Sequence, residues 1–268
     1  MTPSASIPPL FRELSVQTPR GLAYVAIWGE LEANAAAPII LLHDSLGCTA
    51  LWRDFPMQLA ARTGRAVVAY DRPGYGRSVV RRDRMEVDFV RAEAGEALIP
   101  VLDALGLEQV VLFGHSVGGG MAAAAAATAP ERVAAVITES AQAFVEDRTL
   151  AGIRAARDAF AAPGQVERLG RYHGERARWV LDAWIDTWLS PEYADWSLDR
   201  DIAAVRAPLL ALHGDQDEYG SLRHPERFSG LSAGEGRMQV FEGIGHVPHR
   251  EAPEAVLAAV TDFLRAAT

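Results

Sequence analysis

Gln109-Val110-Val111-Leu112-Phe113 runs directly into Gly114-His115-Ser116-Val117-Gly118-Gly119-Gly120, and then into a stretch from Met121 to Ala129 that is almost all alanine. The first run has the continuous apolar pattern of a strand buried on both faces, and the last is strongly helix-forming. Ser116 therefore stands where a strand turns sharply into a helix. The spacing G-x-S-x-G puts a glycine two residues to either side of the serine, where side chains would collide as the chain folds back. Such a turn lifts the hydroxyl clear of the sheet and sets it at a helix N-terminus, where the dipole favours negative charge. Glycine-rich strand-to-helix turns also bind phosphates. The stretch alone leaves both readings open, and the rest of the chain has to decide.

The 268 residues, 49% of them apolar, suffice for one α/β domain or two small ones. A formal charge of −9 argues against nonspecific binding to nucleic acid or anionic lipid. Cys48 is the single cysteine, so no intrachain disulfide is possible, which fits a reducing cytosol and a cytoplasmic location. Met1 to Leu10 lacks a basic cluster and a long apolar run, so it does not read as a secretory signal. Residues 1–9 read as a loose tail. The alanine run ends at Pro130, too short to span a membrane.

Outward from the serine, strands and helices alternate. Runs at 11–17 and 22–28 read as an antiparallel hairpin, and 30–37 as a loop. Ile39-Ile40-Leu41-Leu42 reads as a buried strand ending in His43-Asp44-Ser45-Leu46-Gly47. A helix is expected over 49–62, with Leu51, Phe55 and Leu59 on one face, then a strand over 66–70 and a long helix over 87–105. After the alanine helix comes a strand over 133–138, ending in Glu139-Ser140. Residues 141–201 break the alternation with a helical, charged stretch that holds Trp179, Trp184, Trp188 and Trp196. The pattern resumes with strand 209–212, helix 222–231, strand 238–241 and helix 253–267.

This alternation predicts an α/β fold, a mostly parallel sheet with helices on both faces. Eight strands, the first two a hairpin, with one helical insertion between strands six and seven, resemble the α/β-hydrolase fold with a lid. The resemblance divides the chain into a core, 1–140 and 202–268, and a lid, 141–201. Polar residues that close the strands collect at the carboxyl edge of such a sheet, where active sites lie. The family pattern of nucleophile, acid and histidine, in that order, matches Ser116, then Asp217 in Gly214-Asp215-Gln216-Asp217, then His246 in Gly245-His246-Val247-Pro248. The resemblance implies a bracing role for Asp215 and makes His249 a lesser rival to His246. Glu139 then lines the pocket or makes a structural hydrogen bond. It also implies an oxyanion hole built from the N–H groups of Val117 and Ser45, with Leu46 as the fallback. Asp44 stands where the family usually has glycine, a carboxylate beside a developing oxyanion, unless it points away or pairs with a cation such as Arg72. The turn Asp71-Arg72-Pro73-Gly74-Tyr75-Gly76-Arg77-Ser78 resembles the family's structural D-x-x-G-x-G-x-S.

No metal is expected at His213-Gly214-Asp215-Gln216-Asp217, since the triad explains its acids, and Cys48 reads as a buried spectator. The tryptophans of 141–201 either fasten the lid to the core or roof a pocket over Ser116. Tyr172, His173, Arg168, Arg171, Arg176 and Arg178 face either a substrate carboxylate or water. A serine nucleophile disfavours the aspartate branch of the family, the haloalkane dehalogenases and epoxide hydrolases. His115 before the serine leans toward esterases and lactonases rather than the ring-fission carbon–carbon hydrolases. The expected protein is a cofactor-free serine hydrolase acting on a small or medium carboxylic ester or lactone. Carbon–carbon bond hydrolysis, thioester hydrolysis and a non-hydrolytic lyase or synthase reaction are the alternatives. Its partner is a small-molecule substrate, and monomer and homodimer both remain open.

Overall fold

A computed structural model describes residues 10–32 and 35–267. The expected tail at 1–9, and part of the expected loop at 30–37, lie outside the described residues. Strands β1 (Phe11–Thr18) and β2 (Gly21–Trp28) form the hairpin, joined through Pro19-Arg20. Then follow β3 (Ile39–Leu42), α1 (Phe55–Thr63), β4 (Val67–Tyr70), α2 (Phe89–Glu93), α3 (Ile99–Ala104), β5 (Val110–His115), α4 (Val117–Thr128) and β6 (Val133–Glu139). Four helices lie between β6 and the next strand: α5 (Asp147–Phe160), α6 (Gln165–His173), α7 (Ala177–Trp188) and α8 (Asp199–Ala204). The chain closes with β7 (Leu209–Gly214), α9 (Arg223–Leu231), β8 (Gly236–Phe241), α10 (Pro248–Glu251) and α11 (Pro253–Ala267).

The eight strands form one sheet in the order β1-β2-β4-β3-β5-β6-β7-β8. β2 runs antiparallel to both neighbours, and β3 to β8 are mutually parallel. Parallel strands need helical crossovers, and these cover both faces. The alternation of a strand's side chains explains why the central strands are apolar throughout. Ile40 and Leu42 of β3 join the core that includes α4 and the inserted helices, whereas Ile39 and Leu41 join the core under α1 and α11.

Two expected helices are broken, each for a local reason. The span 49–62 is a short 3₁₀ turn, Thr49–Trp52, separated from α1 by Arg53 at φ 53°. Leu51 therefore leaves the face of Phe55 and Leu59 and is only half-buried, whereas those two are buried with Pro56 and Ala60. The span 87–105 begins at Phe89 and changes pitch in a π turn, Ala94–Leu98, just before Pro100. Proline has no N–H to donate back to the preceding turn, so a regular α-helix cannot pass through unbroken. The helix after Ser116 starts at Val117 rather than at Met121, with three glycines in its first turn. Their low propensity is overridden because that turn is wedged against the sheet.

Candidate active site

The turn at Ser116 is set by backbone contact. A Cβ on Gly114 would lie 2.1 Å from the Gly118 carbonyl oxygen, and one on Gly118 would lie 2.2 Å from the Leu42 oxygen. Only hydrogen fits at either place, so the two glycines let β5 double back into α4 against β3. Ser116 itself takes φ 54° and ψ −125°, a left-handed conformation that a side chain rarely adopts. Its N–H donates to the Glu139 oxygen at 2.8 Å, and its carbonyl accepts from Gly119 at 2.9 Å. The hydroxyl is thereby fixed at the head of α4.

The two loops after β7 and β8 bring Asp217 and His246 to it. Nε2 of His246 is 3.1 Å from Oγ of Ser116, and Nδ1 is 2.9 Å from each carboxylate oxygen of Asp217. A carboxylate only accepts, so Nδ1 carries the proton and Nε2 presents a lone pair to the serine hydroxyl. Asp217 also accepts from the N–H groups of Tyr219 at 2.8 Å and Gly220 at 3.2 Å, which keeps the carboxylate aimed at the ring. Burial pushes His246 down, but the hydrogen bond and charge of Asp217 outweigh it and leave the imidazole above its ordinary pKa. Burial likewise pushes Asp217 up, and His246, then His213, pull its net pKa below the usual carboxylate value. Tyr219 packs edge-on to the His246 ring with centroids 4.7 Å apart. Asp215 accepts from the Gly243 N–H at 2.7 Å, tying together the two loops.

Ser45 lines the same cavity as Ser116 and His246. Val117 opens α4, where first-turn N–H groups have no acceptor within the helix. The loop carrying Ser45 is held from below by Arg72, which is buried and donates to the backbone oxygen of Asp44 at 2.8 Å. His43 supports the same carbonyl through Nδ1 at 2.8 Å and accepts from the Arg72 N–H at 3.1 Å. Arg72 thus meets the carbonyl of Asp44 and not its carboxylate, contrary to the pairing that sequence suggests. The carboxylate lies beside His115 instead, with Oδ2 3.7 Å from Nδ1.

The cavity above Ser116 encloses about 250 Å³. Trp184 and Trp188 of α7 line it, together with Ile153 of α5 and Tyr219. Trp179 and Trp196 do not: Trp179 donates to the Asp83 oxygen at 2.9 Å, and Trp196 stacks on Tyr193 with centroids 5.0 Å apart. The charged group before α7 also points elsewhere. His173 is buried, accepts from the Gly76 N–H at 3.0 Å and donates to the Leu46 oxygen at 2.9 Å. Arg176 bonds the carbonyls of Gly76 and Ser78, and Arg178 pairs with Asp182. None of these residues lines the cavity.

Three residues of the site have no strand-end signature in the sequence. Gln142, three residues past the end of β6, places Oε1 3.4 Å from the serine hydroxyl. Tyr219 and Glu218 line the cavity from the Asp217 loop. A signal for Tyr219 existed in its position two residues past the acid. His115 has a role in the chain's own architecture, with Nε2 donating to the His246 carbonyl at 2.8 Å.

A second group of titratable side chains lies behind the elbow. His249 donates from Nδ1 to Glu139 Oε2 at 2.5 Å, both buried, so His249 is engaged away from Ser116. With His115 they present three ligand-type atoms within 4.8 Å of one another, the one group among the described residues that could hold a metal ion. Trp52 and Phe55 pack on the His249 ring at 4.7 and 5.3 Å. Cys48 is buried and free, and burial pushes its thiol up to about 12.

No helix among the described residues is long and apolar enough to cross a membrane. A family described as alpha/beta hydrolase fold matches residues 37–198. The acetoin-cleaving-system dihydrolipoyllysine-residue acetyltransferase component of Pseudomonas putida is 27% identical over 255 residues, covering 89% of this chain and 66% of its own length. Proline iminopeptidase of Lactobacillus delbrueckii subsp. lactis is 35% identical over 91 residues, 34% of this chain and 31% of its own. The chain thus spans less than two thirds of either relative. Among solved structures, a membrane phospholipase A described as a bacterial virulence factor superposes with a TM-score of 0.77 at 24% identity, over 96% of this chain and 86% of that one. Sheet order, the insertion after β6 and the family match over more than half the sequence agree: the chain belongs to the α/β-hydrolase-fold family.

Proposed function

We propose that this protein is a serine hydrolase that cleaves a small or medium carboxylic ester or lactone through an acyl-enzyme. The observation that carries the reading is the unbroken line from Asp217 through His246 to Ser116, at 2.9 and 3.1 Å. Ser116 Oγ attacks the substrate carbonyl carbon as its proton passes to His246 Nε2. Asp217 holds the Nδ1 proton and stabilises the imidazolium. The N–H groups of Val117 and Ser45 receive the negative charge on the carbonyl oxygen. The leaving alkoxide departs with the proton from Nε2. Water, deprotonated by His246, then releases the acid and restores Ser116. No step calls on a cofactor.

The helical stretch 141–201 serves in this reading as the lid, because Trp184, Trp188 and Ile153 wall the cavity over the serine. A cavity of about 250 Å³ suits a short or medium acyl group. The two relatives are named as an acetyltransferase component and an iminopeptidase, which supports acyl transfer as the common chemistry and leaves the ester or lactone to this chain's own site. Rapid mixing with p-nitrophenyl esters of increasing acyl length tests it. A nitrophenol burst that vanishes in Ser116→Ala supports acyl transfer at Ser116. Absence of burst and turnover at every length refutes ester cleavage and turns attention to carbon–carbon bonds.

A further inference from the structure

The walls of the cavity carry acidic residues and no arginine or lysine. Two carboxylates line it, Asp44 from the oxyanion loop and Glu218 from the loop after β7. Oδ1 of Asp44 is buried without a hydrogen-bond partner among the described residues, a costly state for a carboxylate oxygen. The cation that could neutralise it, Arg72, is committed to the Asp44 backbone carbonyl. The His115 ring beside Oδ2 is neutral at pH 7, because burial pushes its pKa down to about 4. Arg148, near the back of the site, directs its guanidinium to the Asp217 carbonyl at 3.1 Å. Glu218 forms no ion pair among the described residues. Three aromatic side chains, Trp184, Trp188 and Tyr219, share the walls with the aliphatic Leu46, Ile153 and Val247. Aromatic faces attract cations, most strongly where water is excluded. Trp188 adds a donor, since its buried indole N–H has no partner among the described residues.

The charge also bears on the reaction. A tetrahedral intermediate at Ser116 puts an oxyanion next to the loop that carries Asp44. With no protein cation on that carboxylate, the two negative charges repel, unless the substrate itself brings a positive group into the pocket. From this we infer that the site selects substrates bearing a positive charge, an ammonium or trialkylammonium group close to the scissile carbonyl, with Asp44, Glu218 and the aromatic walls as its receptor. The inference deepens the hydrolase reading and rests on it for the reaction, though not for the binding.

The test compares three thioesters of matched size by thiol release: acetylthiocholine, its uncharged isostere 3,3-dimethylbutyl thioacetate, and the anionic S-acetyl-3-mercaptopropionate. The expected kcat/KM favours the cation over the isostere by about tenfold and disfavours the anion by a similar factor. Glu218→Gln and Asp44→Asn each lower the ratio of cation to isostere, and the ratio falls as salt is raised. Equal rates for the three, or a faster anion, overturn the inference while leaving the hydrolase reading intact. A parallel titration of the Ser116→Ala protein, followed by tryptophan fluorescence, compares choline, 3,3-dimethylbutanol and 3-hydroxypropanoate. Tighter binding of choline sustains the charge selection even if no thioester turns over, which would count against the hydrolase reading alone. Choline binding no tighter than the neutral alcohol overturns it.

Discussion

The floor of the site and its roof are held in different ways. The floor is backbone against backbone: Gly114 against Gly118, Gly118 against the Leu42 carbonyl, and Ser116 in a left-handed turn tied to Glu139. The roof is side chain against backbone. His173 and Arg176 clasp the carbonyls and N–H of the 71–78 turn, and Trp179 reaches the Asp83 carbonyl. A backbone contact tolerates almost no variation in residue type, whereas a side-chain clasp can be rebuilt in many ways. In the proposed hydrolase the floor would therefore fix the position of the reacting atoms, and the roof would be free to set which substrate fits.

Substitutions in the two regions should break differently. Ser116→Ala removes the attacking atom and should lower kcat by about 10⁶ in a steady-state ester assay. Asp217→Asn leaves the geometry but releases the Nδ1 proton from its acceptor, and a loss of about 10⁴ is expected. Gly118→Ala drives a Cβ to 2.2 Å from the Leu42 oxygen. Because neither partner is a movable side chain, urea unfolding should report destabilisation of about 3 kcal/mol. A change under about 0.5 kcal/mol would mean that the floor can yield and the contrast is wrong.

The roof should respond more gently. Trp184→Ala removes one wall of the cavity and should raise KM for the preferred acyl length by about tenfold, shifting the optimum to longer chains. A fall in kcat with KM unchanged would instead give the roof a part in the chemistry. The smallest effect concerns pH. His246 must be neutral to accept the serine proton, and its pKa is raised, so kcat/KM should fall as pH drops through a limb above the ordinary histidine value of about 6.5. Asp44 is one of the charges that raise it, so Asp44→Asn should move that limb down by less than about one unit. A limb moved upward would reverse the sign of that charge effect.

The same contrast explains what could be read from the amino-acid sequence. Ser116, Asp217 and His246 each follow a strand, and a parallel sheet delivers strand ends to one edge, but it delivers His43, Asp71, Glu139 and Asp215 there as well, and it was the resemblance to the family that singled out the three. The interruptions at Arg53 and before Pro100 were harder. A positive φ at arginine has no residue-type signature, and proline is tolerated near a helix start as well as at a break. The destination of Arg72 was not legible, because a carboxylate and a carbonyl of the same residue compete for it and only the loop conformation decides. Gln142 and Glu218 belong to the site through the course of loops after β6 and β7, which no periodicity records.

The central claim is that the floor activates one serine. Treatment with a fluorophosphonate, followed by peptide mass analysis, tests it most directly, since the reagent reacts with a hydroxyl made nucleophilic by an adjacent base. The expected result is a single adduct on the peptide containing Ser116, slowed by orders of magnitude in His246→Ala. No adduct, an adduct on another residue, or an adduct on Ser116 at an unchanged rate without His246 would contradict the account.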